Sequence, residues 1–146
     1  MRIGDVMDRK AARIPVTAPM SLAAELLVLS RASDLMVVDD EGRYVGVLAE
    51  GDLLHALMPD FEGLMDSGAS LADAFRIFVD SGREYADQPI GRLVIRKSIT
   101  VGPEDELLKA ATVMVTKGIR RLAVVDGERL LGTVSRADVC WALLQA

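Results

Sequence analysis

The stretch Leu35-Met36-Val37-Val38-Asp39 returns 87 positions later as Leu122-Ala123-Val124-Val125-Asp126. The same offset aligns Ile3-Gly4 with Ile90-Gly91, and no gap separates the two sets of matches. Self-similarity that keeps one register over so long a span is typical of a duplicated structural unit. The chain is therefore a tandem of two copies of one unit.

Each copy predicts the element order β-α-β-β-α. In the first copy, a short strand around residues 14–16 precedes a helix whose apolar residues recur at intervals of three and four. Two strands follow, at residues 35–38 and 44–48, and a last helix spans residues 52–58. The second copy repeats this order with strands and helices beginning near residues 99, 107, 122, 129 and 138. The apolar helix positions are Met20, Ala23, Ala24, Leu27 and Val28, matched by Leu107, Ala110, Ala111, Met114 and Val115.

A unit of about 55 residues buries too little apolar surface to be stable on its own. We therefore expect the two copies to pack sheet against sheet about a pseudo-two-fold axis. The predicted fold class is α+β, with two β-α-β-β-α repeats and a helical insert between them. The predicted boundaries are residues 1–58 for the first repeat, 59–88 for the inter-repeat helical segment, and 89–146 for the second repeat.

The segment 59–88 has no counterpart in the repeat. Ser70 and Asp73 resemble an N-cap pair, and an apolar stripe follows them until Ser81-Gly82 closes the predicted helix. We expect loops around Gly63 and Gly68 on its N-terminal side. The helix either packs on its own domain or forms an interface for a second subunit or a partner protein.

Composition and charge exclude several classes of protein. No apolar run approaches the roughly 20 residues of a membrane span, and a single cysteine, Cys140, excludes an intramolecular disulfide. The net charge of −5 argues against nucleic-acid binding. Residues 1–89 carry 8 Lys and Arg against 16 Asp and Glu, whereas residues 90–146 carry 9 against 6. We expect a soluble, cytoplasmic protein with no membrane or nucleic-acid partner, in which the second half is the better host for an anion.

The repeated pattern resembles the CBS domain pair, or Bateman module. The second copy carries the resemblance in Ile119-Arg120-Arg121-Leu122-Ala123-Val124-Val125-Asp126 and in Gly132-Thr133-Val134-Ser135-Arg136-Ala137-Asp138. The first copy carries it in Leu35–Asp39 and Gly46–Asp52, and only the central segment lies outside it. The proline that the family often carries before its Val-Val-Asp is replaced by Met36 and Ala123.

The resemblance implies a regulatory, energy-sensing module that binds an adenosine-containing ligand: AMP, ADP, ATP or S-adenosylmethionine. It further implies a cleft between the repeats as the binding site, a homodimer of two modules, and an effector protein that reads the occupancy. In the family, the residues that match Ser135 and Asp138 hold the ligand, and Thr100 matches a position that lines the pocket.

Ser135 and Asp138 lie where the last strand runs into the last helix. One interpretation is a capping box, in which each side chain bonds the other's backbone amide. The other is a ligand site, because free N–H groups and the helix dipole favour phosphate there, and a carboxylate accepts hydrogen bonds from the ribose hydroxyls. The two interpretations are compatible as the empty and the occupied state.

Positive and apolar side chains near the same strand complete the predicted site. Arg120 and Arg121 precede the central strand, and arginine binds phosphate with two parallel hydrogen bonds. Arg136 within the capping motif is a further candidate, while Val101 and Ala123 are suited to flank an adenine face. Each of these residues also has a plain structural interpretation, as solvated surface or as core.

The equivalent cleft of the first copy is the weaker candidate. Asp52 matches Asp138, but Ala49 replaces Ser135, and Arg13 replaces Thr100. Ser33 and Asp34 replace the two arginines, and Glu50 adds negative charge. The sequence therefore predicts one good site for an anionic ligand in each chain.

Catalytic and metal sites are not predicted. The one histidine, His55, lies in an apolar helix context, and Cys140 lies between Val139 and Trp141 without a basic neighbour to activate it. We expect Cys140 to be a small buried side chain. Two other hypotheses stay open: a dimerisation scaffold without a ligand, and a nucleotide-hydrolysing or nucleotide-transferring enzyme.

Overall fold

The computed structural model describes all residues, 1–146, and confirms the predicted order of elements in both repeats. The first repeat contains β1 (Arg13–Pro15), α1 (Met20–Ser30), β2 (Asp34–Val38), β3 (Tyr44–Ala49) and α2 (Glu50–Leu57). The insert contains α3 (Phe61–Asp66) and α4 (Leu71–Tyr85). The second repeat contains β4 (Thr100–Val101), α5 (Leu107–Lys117), β5 (Arg121–Asp126), β6 (Arg129–Ser135) and α6 (Arg136–Gln145). Short 3-10 helices, Ile3–Asp5 and Ile90–Leu93, begin the two repeats.

Each repeat builds a three-stranded mixed sheet. In the first sheet β1 pairs in parallel with β2, and β2 pairs antiparallel with β3. The second sheet repeats this arrangement with β4, β5 and β6. The helix between the two parallel strands, α1 or α5, supplies the crossover that a parallel pair requires.

Three apolar clusters hold the fold together. The first lies inside the first repeat around Ile14, Leu35 and Leu48, and the second lies inside the second repeat around Leu122, Val124 and Val134. The third contains Met36, Val38, Ala123 and Leu130 and brings the two sheets together, which confirms the predicted packing of sheet against sheet. These four side chains come from the sheet faces that α1 and α5 do not cover.

The N-terminal 3-10 helices cross between the repeats. Ile3 is fully buried in the cluster of the second repeat, and Ile90 is fully buried in the cluster of the first. The Ile3 amide donates to Asp105 O over 2.9 Å, and the Ile90 amide donates to Ala18 O over 2.9 Å. Each repeat thus contributes a buried side chain to the core of the other.

Two buried glycines allow the chain to pass close to the end strands. Asp8 exchanges backbone hydrogen bonds with Thr133 at 2.8 and 3.0 Å, and Ile95 exchanges them with Val47 at 2.8 and 3.1 Å. A β-carbon at Gly132 would overlap the backbone of Asp8, and one at Gly46 would overlap the backbone of Ile95. Glycine is therefore required at both positions by the close approach of the backbone.

The insert contains more helix than the sequence predicts. Gly63, which we expected in a loop, lies inside α3, where its amide donates to the capping Asp60 side chain over 3.0 Å. Helix α4 continues past Ser81-Gly82 to Tyr85, because Gly82 is tolerated within a helix when its φ stays negative. The predicted capping box of Ser70 and Asp73 is confirmed at the start of α4.

Several apolar side chains point away from the core. On α1, Met20, Ala23 and Leu27 are buried, whereas Val28 is 75% exposed. On α5, Val115 is 81% exposed, and on α6 Trp141 is 68% exposed. The prediction that Cys140 is buried is wrong: it is exposed on α6, because Val139 is the position that turns toward the core.

No helix has both the length and the apolar content that a bilayer crossing requires.

Candidate functional site

A cleft of about 310 Å³ opens where the two repeats meet. Both repeats contribute to it, together with the segment that leads into β4. Its apolar walls come from Val47, Ile95, Ile99, Ile119 and Ala123, and its polar groups are Asp34, Lys97, Ser98 and Arg121. Apolar walls with a few convergent polar groups are typical of small-molecule sites.

Arg121 and Asp34 form the charged centre of this cleft. They occupy equivalent positions, 87 residues apart, and begin strands β5 and β2. Arg121 Nε lies 3.4 Å from Asp34 Oδ1, with the side chains 26% and 16% exposed. Arg121 Nη1 also donates to the buried Thr133 hydroxyl over 3.1 Å. Arg121 is thereby held at the cleft, with part of its charge opposed by Asp34.

The Asp34 carboxylate is not fully satisfied. Its Oδ1 atom is buried and accepts no hydrogen bond, although the guanidinium is near. Loss of hydration raises the pKa of Asp34 above the usual range of a carboxyl, and the charge of Glu50 raises it further. The positive charges of Arg121 and Arg120 lower this pKa but do not offset the burial.

A hydrogen bond separates the cleft from a neighbouring depression. The Tyr44 hydroxyl and the Ser98 hydroxyl lie 2.5 Å apart, with Ser98 on the cleft side. Tyr44 and Thr100 line the depression on the other side, which has a volume of about 420 Å³. Thr100 pairs with Ala123 between β4 and β5, so the predicted Thr100 lies beside the cleft but not on its wall.

Ser135 and Asp138 form a complete capping box at the start of α6. The Asp138 amide donates to Ser135 Oγ over 3.2 Å, and Asp138 Oδ2 accepts from the Ser135 amide and hydroxyl, both over 2.7 Å. Neither residue lines the cleft. Asp138 faces a separate depression with Met1, Asp5, Val6, Trp141 and Ala142.

The remaining predicted residues of the second repeat occupy three different environments. Val101 is buried in the core at 3% exposure, and Arg120 is exposed. Arg136 bonds the end of α5, donating to Ile119 O over 3.0 Å and to Met114 O over 3.3 Å. The structure therefore brings Arg121 and Ala123 together in the cleft and leaves Val101 and Arg136 in structural contacts.

Two residues were predicted for the weaker cleft of the first repeat, Arg13 and Asp52, and neither lines the cleft between the repeats. Arg13 reaches across the interface between the sheets and donates to Leu130 O over 3.2 Å. Asp52 is exposed on α2, and its side chain takes part in no hydrogen bond or ion pair. Strand β3 contributes Val47 to the described cleft and runs directly into α2, so Asp52 is close to that cleft along the chain.

The contribution of the first repeat to the cleft is not predicted from the sequence. Asp34 is counted there as a residue that weakens the first site, whereas it lines the cleft beside Arg121. Val47, Lys97 and Ser98 are also missed. The repeat offset contains the necessary information, because equivalent residues next to a pseudo-two-fold axis lie near each other.

Two other features bear on the chemistry. No group of three His, Cys, Asp or Glu side chains is placed to hold a metal ion. An apolar groove of about 340 Å³ lies in the insert, among Met58, Phe61, Leu71, Phe75 and Phe78. This groove lacks the polar groups that fix a nucleotide, so the cleft between the repeats is the better candidate.

The CBS domain family matches the chain twice, over residues 3–59 and 90–145. The chain therefore belongs to the CBS domain family, as a tandem CBS pair. The resemblance stated from the sequence is confirmed, and only the insert and the chain ends lie outside the two matches.

The whole chain is similar to CBSX2 of Arabidopsis thaliana, which has been solved in complex with AMP. The two share 28% sequence identity with a TM-score of 0.75, over 99% of this chain and 96% of that one. Protein MJ1426 of Methanocaldococcus jannaschii is 27% identical over 126 residues, which cover 79% of this chain and 75% of the relative. Arabinose 5-phosphate isomerase KdsD of Yersinia pestis is 30% identical over 142 residues, but this chain spans only 36% of that enzyme.

Proposed function

We propose that this protein is a regulatory module that binds an adenine nucleotide in the cleft between its repeats and signals occupancy to a partner protein. The observation that carries the proposal is the cleft itself, with Arg121, Lys97 and Ser98 beside apolar walls from both repeats. The similarity to CBSX2, which was solved with AMP, supports the same ligand class. We assign no catalytic residue.

The chemistry of the cleft suits the parts of a nucleotide. The Arg121 guanidinium and the Lys97 ammonium favour a phosphate, and the Ser98 hydroxyl both donates and accepts hydrogen bonds. Ile119, Ala123 and the other apolar walls suit the two faces of a purine ring. A ligand that contacts both sheets would change their packing, which gives a partner protein a difference to detect.

We further propose one site in each chain. Arg13 occupies the position in the first repeat that is equivalent to Thr100 in the second, and its guanidinium donates to Leu130 O over 3.2 Å. The first repeat also has Ala49 in place of Ser135, and Ser33 and Asp34 in place of the two arginines, so it lacks the donors that would hold a second anionic ligand. Isothermal calorimetry with AMP should therefore give a stoichiometry near one, and a stoichiometry of two equal sites would contradict the proposal.

The first experiment is thermal unfolding in the presence of AMP, ADP, ATP, S-adenosylmethionine, NAD and GMP. A ligand at 100 times its dissociation constant should stabilise the protein by about 2.7 kcal/mol, which corresponds to a shift of roughly 5–10 °C for a chain of this size. Arg121→Gln should remove the shift. No shift with any compound, in protein free of co-purified nucleotide, would contradict the proposal.

Two helix-start carboxylates are candidates for contact with the ribose. Asp138 is the residue expected from the family resemblance, although its Oδ2 is engaged by Ser135 in the capping box. Asp52 has no partner and follows the strand that lines the cleft. Calorimetry on Asp138→Ala and Asp52→Ala separates the two: the variant that loses affinity identifies the ribose carboxylate, and the other should lose only about 1 kcal/mol or less of stability.

The second candidate function is a dimerisation scaffold without a ligand. The capping box favours it, because the Ser135 amide, the Ser135 hydroxyl and the Asp138 amide all find hydrogen-bond acceptors within the pair without any bound molecule. Under this hypothesis the ligand panel gives no shift, and Asp138→Ala lowers only the stability of α6.

We also propose that the module is a homodimer that works in the cytoplasm, where adenine nucleotides are made and used. Exposed apolar side chains on the outer faces of α1, α5 and α6 support a subunit interface; they are Val28, Leu29, Leu108, Val115, Trp141, Leu143 and Leu144. Light scattering measures this directly, and a monomer at micromolar concentration would contradict it.

A further inference from the structure

We infer that Asp34 makes the cleft selective for a nucleoside monophosphate over a nucleoside triphosphate. This inference rests on the proposed function and adds a specificity-determining residue to it. The first repeat supplies this carboxylate directly beside Arg121, the principal cation of the cleft.

The position of Asp34 sets the electrostatic limit. Arg121 Nε is 3.4 Å from Asp34 Oδ1, so any phosphate oxygen that bonds Arg121 also lies near the carboxylate. A phosphate at this distance is attracted by the Arg121 guanidinium and repelled by the Asp34 carboxylate. Both interactions are strong because the two side chains are mostly buried. Each added phosphate group therefore brings further repulsion into the site.

The other charges around the cleft do not remove this repulsion. Lys97 on the wall and Arg120 nearby are positive, whereas Glu50 is negative and close enough to raise the pKa of Asp34. With Arg121 and Asp34 included, this group has three positive and two negative charges. The resulting net charge of +1 offsets roughly half of the charge of a single phosphate, which is about −1.5 to −2 at pH 7, but a much smaller fraction of the charge of a triphosphate.

Asp34 also limits how far the Arg121 side chain can move to bind a ligand. One guanidinium nitrogen already donates to Thr133 Oγ1 over 3.1 Å, and the neighbouring nitrogen faces the carboxylate. A ligand that draws Arg121 away leaves Asp34 as a buried charge without a partner, which is unfavourable. The cleft thus favours a ligand that Arg121 can bind without leaving Asp34.

The experiment compares the dissociation constants of AMP and ATP by calorimetry, at constant ionic strength and with EDTA in place of Mg²⁺, for the wild-type protein and Asp34→Asn. Wild type should bind AMP more tightly than ATP. Asp34→Asn keeps the shape of the side chain and should strengthen ATP binding about tenfold more than AMP binding. Asp34→Ser, which is smaller, should change the ratio in the same direction.

The matched control is Glu25→Gln, which changes the net charge equally but lies on α1, outside the cleft. It should leave the ratio of the two dissociation constants unchanged. If wild type binds AMP but the ratio is the same in Asp34→Asn, the inference is wrong and the proposed function stands. If wild type binds neither nucleotide, the proposed function itself is wrong.

Discussion

Ile3 and Ile90 occupy equivalent positions in the two repeats, and each is fully buried in the hydrophobic core of the opposite repeat. Their amides make matching hydrogen bonds of 2.9 Å, to Asp105 O and to Ala18 O. The first segment of each repeat in the sequence thus completes the hydrophobic core of the other repeat in the folded protein. The stability of the second repeat therefore depends on the first residues of the protein.

We expect Ile3→Ala to destabilise the whole protein by about 2–5 kcal/mol, as is usual when a fully buried side chain is truncated. Unfolding should remain a single transition, with the same midpoint by circular dichroism and by fluorescence of Trp141. The control Val28→Ala truncates a side chain that is 75% exposed and should change stability by less than about 0.5 kcal/mol. Two separate transitions in Ile3→Ala would show that the repeats unfold independently.

Gly132→Ala should destabilise the protein by about 1–3 kcal/mol or prevent its folding, because the new methyl group would overlap the backbone of Asp8. Gly82→Ala is the control: it lies within α4, nothing surrounds its missing β-carbon, and alanine should add roughly 1 kcal/mol of stability there. Urea unfolding of the two variants measures both effects. A neutral Gly132→Ala would contradict the close approach of the two backbones.

Arg136→Ala should lower the free energy of unfolding by about 1–2 kcal/mol, because two carbonyl groups near the end of α5 lose a charged donor. It should leave the affinity for AMP unchanged, since Arg136 does not line the cleft. Chemical denaturation and calorimetry on the same variant test the two statements. A large loss of affinity for AMP with little loss of stability would show instead that Arg136 contacts the ligand.

The raised pKa of Asp34 predicts the sign of a pH effect. A carboxyl whose pKa is higher in the folded state stabilises the protein when protonated, and this contribution is lost as the pH rises through the folded pKa. The stability of wild type minus that of Asp34→Asn should therefore fall as the pH rises from below the usual value of 3.8 to above the raised pKa.

This difference isolates Asp34 from the other carboxyls. Asp39, Asp73 and Asp105 have pKa values lowered by their hydrogen bonds, so they act in the opposite direction and destabilise the protein as the pH falls. Asp34→Asn leaves all three in place. A stability difference that is constant or rises with pH would contradict the desolvated state of Asp34.

The fold was accessible from the sequence because it is encoded locally and twice. Apolar spacing predicts each helix, and the Val-Val-Asp runs predict the central strands. Because the two copies are related by an offset of 87 residues, the prediction for one copy can be checked against the prediction for the other. The capping box at Ser70 and Asp73 was equally visible, because it depends on residues three positions apart. Gly63 and Gly82 were misleading, since glycine occurs within helices as well as in loops.

The site was only partly accessible, because the cleft joins residues that are distant in sequence. Arg121 and Ala123 were predicted and lie in the cleft, whereas Asp34 and Val47 come from the other repeat. Arg136 resembles a phosphate ligand in sequence, but the fold directs its side chain to the end of α5. Which side of a sheet faces which depends on the packing of the two repeats, and no local pattern specifies it.

The meeting of Asp34 with Arg121 has a consequence for symmetry. Two identical single repeats, paired about a true two-fold axis, would place two copies of the same residue at this point: two carboxylates, or two guanidinium groups. Joining the repeats in one chain frees the two positions to differ, so that opposite charges face each other where like charges would otherwise repel. The covalent link thus permits an asymmetric centre within a symmetric framework.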